Sequence, residues 1–240
     1  MAETIHQVPE PTRPDAPRET PSGARTALLL CGVLAALLYA VTTVLAGMQW
    51  EGYSSTSQTI SELFAIGAPS RPLVVVLFLV HDVLVIAFAL GIWASAGRRR
   101  ALRVTAGMLI GIGLVGLVAT PFFPIHLRGV EGTLTDTMHA ALTAVLVLLI
   151  VLAIGFAAGA FGKGFLLYSL VTLVTLVVFG ALAGMQGPHM AANEPTPWLG
   201  VFERINVGGY LLWLLVLAVA LWRPSMGARR PGVNAGQREP

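Results

Sequence analysis

The chain has 240 residues, 55% of them hydrophobic and only 11% Asp, Glu, Lys or Arg, against roughly 25% charged residues in soluble domains. So few charges cannot cover a water-soluble fold of this size. The net charge of +3 is dispersed through loops and tails, without the basic face that nucleic-acid binding needs. The single cysteine, Cys31, lies in an apolar block; it excludes a disulfide framework within the chain and reads as a small packing residue.

Residues 1–25 carry five prolines, mixed charges and almost no apolar content, which predicts a disordered tail. No apolar core stands near the N-terminus as a secretory signal would require. Six long apolar stretches follow, at about 26–49, 72–97, 101–123, 138–161, 164–185 and 201–222, and residues 223–240 form a second polar tail. Each stretch is long enough, or nearly so, to cross roughly 30 Å of hydrocarbon at 1.5 Å per residue. The predicted fold class is therefore all-α: a polytopic membrane protein with a six-helix transmembrane bundle over residues 26–222.

Between the first two stretches, Thr59 and Glu62 fit a capping box, and Ile60, Leu63 and Phe64 have helical spacing. Gly67 and Pro69 then stop the chain, so a short interfacial helix is expected, with Ser61 and Glu62 on its polar side. Stretch two contains His81 and Asp82. Counted from Pro72, Asp82 lies about 15 Å deep at helical rise. A carboxylate there costs about 2.5–3.5 kcal/mol on insertion scales, so it should face the bundle interior with a partner, His81, His139 or Arg204.

Stretch four opens with Asp136, His139 and Thr143, whose spacing puts them on one face, where Asp136 would fix the tautomer of His139. Stretch six carries Glu203, Asn206, Tyr210 and Trp213 within one arc, with Arg204 beside it at the mouth. Arg204 is expected to snorkel to headgroups, to pair with Glu62 or Glu203, or to hold an anionic ligand. Glycine pairs Gly107/Gly111, Gly155/Gly159 and Gly180/Gly184 read as sites of close helix approach within the chain. Trp50, Tyr53, Trp198 and Trp222 fall near the expected interfaces, as an aromatic belt.

Of the 15 basic residues, 12 fall in the two tails, in the Arg98–Arg103 connection and at Lys163. Only Arg71, Arg128 and Arg204 fall on the other side. The positive-inside bias then puts the protein in the cell membrane with both termini cytoplasmic. Six of the 12 acids lie on the outer side, where Ser61, Glu62, His139, Glu203 and Arg204 are expected to converge on one polar site. His81 and Asp82 form a candidate intramembrane pair.

Certain residues also carry a resemblance. Thr59-Ile60-Ser61-Glu62-Leu63 is followed by Gly67-Ala68-Pro69-Ser70-Arg71-Pro72. Phe123-Pro124 ends stretch three, His139 opens stretch four, and Gly200-Val201-Phe202-Glu203-Arg204 precedes Trp213. The set resembles the domain-of-unknown-function family 998, six-span membrane proteins of prokaryotes, over about residues 26–222. The resemblance implies the topology and an extracytoplasmic polar cluster, but no activity. An acid often follows the Phe-Pro pair in that family, where Ile125-His126 stands here.

Three functions stay open on the residues alone. The first is binding of a lipid, small amphiphile or membrane partner at the outer site, with Arg204 and Arg71 meeting an anionic headgroup. The second is a lipid hydrolase or transferase, with His139 as base, Asp136 as its orienter and Ser61 or water as nucleophile. The third is a proton-coupled transporter using His81 and Asp82. Membrane lipids and a lipid-like ligand are the partners expected, with nucleic acid excluded and the oligomeric state open. No cofactor is expected. A metal set of His81, Asp82, His126 and His139 lacks a ligand spacing to support it.

Overall fold

The computed structural model describes the chain from Ser22 to Gly227, with side chains placed over residues 23–222. The tails expected at 1–25 and 223–240 lie largely outside the described residues. Where they are described they are helical, because α1 (Ser22–Gln49) and α7 (Leu199–Gly227) each run past the expected boundary. Between these lie α2 (Arg71–Ala96), α3 (Arg100–Phe122), α4 (Leu134–Ala157), α5 (Lys163–Met185) and a short α6 (Gly187–Ala191). Single 3-10 turns stand at Ser61–Phe64 and Ala158–Phe161. Six of the helices are long and apolar enough to cross a membrane.

The fourth helix begins four residues before the expected position, and local chemistry explains why. The Thr133 side chain accepts the Thr135 N–H, while the Asp136 carboxylate accepts the Thr133 N–H at 2.8 Å. That cap satisfies donors which a helix start leaves open, so helix forms ahead of the apolar run.

The six long helices pack as a closed ring in the order α1, α2, α3, α4, α5, α7, with α7 returning to α1. The tight connections at Gly97–Arg99 and Gly162 mark one end of the bundle, the hairpin end. The longer segments 50–70, 123–133 and 186–198 mark the other, the loop end. The ring is filled unevenly. Phe88, Ile92, Leu109, Ile154, Trp213 and Leu217 belong to one apolar core that occupies its hairpin half. The buried residues of α4 are Ala153, Ile154 and Ala157, near its end, whereas those of α5 are Phe165, Ser169, Thr172 and Leu176, near its start. The two helices therefore meet at their shared hairpin and part toward the loop end.

Close approach occurs elsewhere than at the expected glycine pairs. A Cβ at Gly107, Gly155, Gly159 or Gly184 would meet nothing within 4 Å. Of the six, Gly111 and Gly180 face a neighbouring side chain. Tight crossings are those of α1 against α2, where a Cβ on Gly91 would lie 3.1 Å from the Leu28 carbonyl carbon, and of α2 against α3. There a Cβ on Gly113 would lie 2.8 Å from the Asp82 carbonyl oxygen, and one on Gly116 2.5 Å from both Asp82 carboxylate oxygens.

Candidate functional site

The loop end is stapled by three guanidinium groups. Arg128 donates from Nε to Glu62 Oε1 at 2.7 Å and from Nη2 to Glu62 Oε2 at 3.0 Å. It also reaches the Ser57 carbonyl and the Thr196 hydroxyl. Arg204 donates to the carbonyls of Ser55, Gln58 and Gly200 and, at 2.6 Å, to the Tyr53 hydroxyl. Arg71 donates to the carbonyls of Phe64 and Pro121. Each arginine thus ties separate segments together through groups that turns leave unpaired.

These contacts correct two expectations. Among the described residues Arg204 pairs with no carboxylate; its guanidinium, like that of Arg71, is hydrogen-bonded to loop and helix-end groups instead. Glu62 does not share a face with Ser61: in the 3-10 turn it points to Arg128 and is 1% exposed, while Ser61 points the other way. The expected capping bonds do form, since Thr59 N–H donates to Glu62 Oε2 at 2.7 Å and Glu62 N–H donates to Thr59 Oγ1 at 3.1 Å. Burial acts to raise the Glu62 carboxyl, but hydrogen bonds from Arg128 and Thr59 outweigh it and hold the group below its ordinary value of 4.5. Burial likewise pushes the Tyr53 phenol up to about 12, against the pull of Arg204.

Beneath this stapled cap lies a cavity of about 230 Å³ in the loop half of the ring. Ser61, His139, Thr143, Glu203 and Asn206 supply polar groups on its wall, and His81, Asp82, Thr120 and Tyr210 supply others. Apolar walls come from Phe64, Phe78, Ile112, Leu146, Val147 and Ile150. On α4, Thr143 and Val147 line the cavity yet are exposed, so it opens sideways along α4, where α4 and α5 have parted.

Of the five residues expected to converge, Ser61, His139 and Glu203 share this cavity, whereas Glu62 and Arg204 belong to the cap above it. His139 Nδ1 lies 2.9 Å from the Phe123 carbonyl and Nε2 lies 3.2 Å from Ser61 Oγ. A carbonyl only accepts, so Nδ1 carries the proton and Nε2 accepts from the Ser61 hydroxyl. Asp136 is not the orienter of His139. It accepts the His126 N–H at 2.7 Å and lies 2.8 Å from His126 Nδ1. Glu203 accepts the Ile60 N–H. Asn206 donates to the Leu176 carbonyl at 2.6 Å, tying α7 to α5. Trp213, the fourth residue of that stripe, turns from the cavity and donates to Ser169 Oγ.

Asp82 is buried as expected, but no hydrogen bond joins it to the candidates named for it. His81 Nδ1 donates to the Ala35 carbonyl at 3.1 Å, which leaves the Nε2 lone pair 4.0 Å from Asp82 Oδ1, too far to bond. Asp82 Oδ2 and the Tyr210 hydroxyl are both buried with no hydrogen-bond partner among the described residues. An aromatic chain joins the two depths: Tyr39 stacks on Phe78 at 4.5 Å, Phe78 meets Phe64, and Phe64 meets His139. Arg128 and Thr196 were not singled out from the sequence; both lie far along the chain from Ser57 and Glu62, and no local spacing announces the contact. Among the described residues, no group of three or more His, Cys, Asp or Glu side chains stands close enough to hold a metal ion.

A family model described as "Protein of unknown function (DUF998)" matches residues 33–220, most of the chain and all of the cavity wall. The chain belongs to that family. It is a multi-pass membrane protein of the DUF998 family. No curated protein and no solved structure matches it.

Proposed function

We propose that this DUF998 protein binds a single amphiphilic molecule that enters sideways from the membrane and places its polar head in the cavity. The observation that carries this reading is the sideways opening along α4: exposed Thr143 and Val147 line the same cavity as buried Asp82 and Tyr210. Ligand pockets usually measure about 300–1,000 Å³, so a cavity of about 230 Å³ suits a headgroup, with the chain left in the lipid. We further propose that the loop end is extracytoplasmic, from the 12-to-3 split of basic residues.

The test is a photoreactive side chain at Val147 in purified protein in nanodiscs, with Val83, exposed on α2, as control. Amphiphiles of one chain length with cationic, neutral and anionic heads are titrated. At least one should be captured saturably at Val147 and not at Val83. Capture that rises linearly and equally at both positions for all three heads removes the reading.

A hydrolase is the second reading, favoured by the Ser61 hydroxyl donating to a histidine whose other nitrogen is fixed. Against it, the Ile60 and Ser61 N–H groups are taken by Glu203, so the nearest backbone donors are not free for a developing oxyanion. A fluorophosphonate probe distinguishes the two. The binding reading expects no labelling of Ser61, and Ser61→Ala should still capture the amphiphile.

A further inference from the structure

The sign of charge that the cavity accepts follows from what lines it. Among the described residues, no lysine or arginine is on its wall. The three guanidinium groups at the loop end are all turned to carbonyls, hydroxyls or Glu62 in the cap. Two acids do stand on the wall, Glu203 beneath the cap and Asp82 deeper in the bundle.

Asp82 has the most exacting position. It is 6% exposed, one carboxylate oxygen has no hydrogen-bond partner among the described residues, and the carboxylate packs directly against Gly116 of α3, which offers it no side chain to bond. An uncompensated carboxylate at that depth is costly, and truncating a partner or supplying one changes its energy strongly. Around it stand the rings of Tyr39, Phe78 and Tyr210, with Phe64 nearer the cap. Acids combined with aromatic faces are the surroundings that recognise amine and quaternary ammonium groups, which ring quadrupoles attract without needing a hydrogen bond. The remaining polar groups, the hydroxyls of Ser61, Thr120, Thr143 and Tyr210, can accept from an amine as readily as from water.

Resting on the sideways-binding reading, we propose that the ligand is a cationic amphiphile, its amine or quaternary ammonium head held between Asp82, Glu203 and the aromatic wall. This reverses the anionic headgroup that Arg71 and Arg204 suggested from sequence.

The experiment uses the full chain in nanodiscs with the photoreactive side chain at Val147. Dodecyltrimethylammonium, dodecyl maltoside and laurate share a chain length and differ in head charge. Dodecyltrimethylammonium should saturate at a concentration lower by about tenfold or more than the other two. Asp82→Asn, which keeps the side-chain volume, should erase that preference, so that the three heads saturate at similar concentrations, and Glu203→Gln should weaken it. If Asp82→Asn fails to fold, the ranking of the three heads on the unaltered chain, with Glu203→Gln, still decides. Equal or tighter saturation by laurate or dodecyl maltoside overturns the cationic assignment but leaves the sideways site standing. Absence of saturable capture by all three removes the site itself.

Discussion

Glu62 shows what one residue does at the loop end of the bundle. Its carboxylate is 1% exposed and receives two hydrogen bonds from Arg128 and two from Thr59. Breaking a buried pair by removing one partner costs about 3–5 kcal/mol, because the other charge is stranded. Arg128→Ala and Glu62→Gln should each lower the thermal midpoint in detergent strongly, and the double variant should lose less than the sum. Because the folded carboxyl titrates below its ordinary 4.5, its contribution is complete above that value and is lost as pH falls through the lower folded value. The gap in midpoint between the unaltered protein and Glu62→Gln should therefore be constant near neutrality and narrow below about pH 4. A gap that widens on acidification would contradict the depressed carboxyl. The sequence announced the local half of this arrangement, the Thr59/Glu62 cap, through a three-residue spacing. Arg128 is 66 residues away, and nothing short-range marks a guanidinium for one carboxylate among several.

At the scale of elements, the α2–α3 crossing separates glycines that look alike in sequence. Gly116 faces the Asp82 carboxylate so closely that a methyl group must displace it, whereas Gly107, about two and a half turns earlier on α3, faces open space. Gly116→Ala should destabilise by about 1–3 kcal/mol through overpacking. Gly107→Ala should be neutral or stabilising by up to about 1 kcal/mol, since alanine suits a helix interior better. Thermal midpoints of the two variants in one detergent check this, and equal effects would mean that α3 is rotated from its described face. The six helices were legible because uncharged blocks of that length have few alternatives. Which face each turns inward was less legible. Spans that are apolar all round carry little pattern, and in α7 it took polar side chains to mark a face. Glu203, Asn206 and Tyr210 marked it correctly, while Trp213, on the same arc, packs against Ser169 because the stripe runs off the cavity as the core closes.

The whole molecule is a ring that is solid at one end and hollow at the other, and the side of the membrane on which the hollow end lies decides which leaflet supplies a ligand. The two ends differ in charge. The hairpin end carries Arg98, Arg99, Arg100, Arg103 and Lys163, while the loop end has three arginines, each drawn into the cap by hydrogen bonds. Free basic charge near the helix ends is what retains a segment in the cytoplasm, so the hairpin end should be cytoplasmic and the cavity should draw from the outer leaflet. Cysteine labelling tests this on a Cys31→Ala background, and burial dictates the positions. Gly132 and Ala192 are exposed at the loop end, whereas neighbouring Thr196 is 1% exposed and bonded to Arg128, so a cysteine there would be shielded on either side. Gly164 is exposed at the hairpin end, and a Cβ there meets nothing within 4 Å. In intact cells an impermeant maleimide should label Gly132→Cys and Ala192→Cys but should label Gly164→Cys only after permeabilisation. The reverse pattern would put the cavity on the cytoplasmic side, with Asp82 and Glu203 drawing from the inner leaflet.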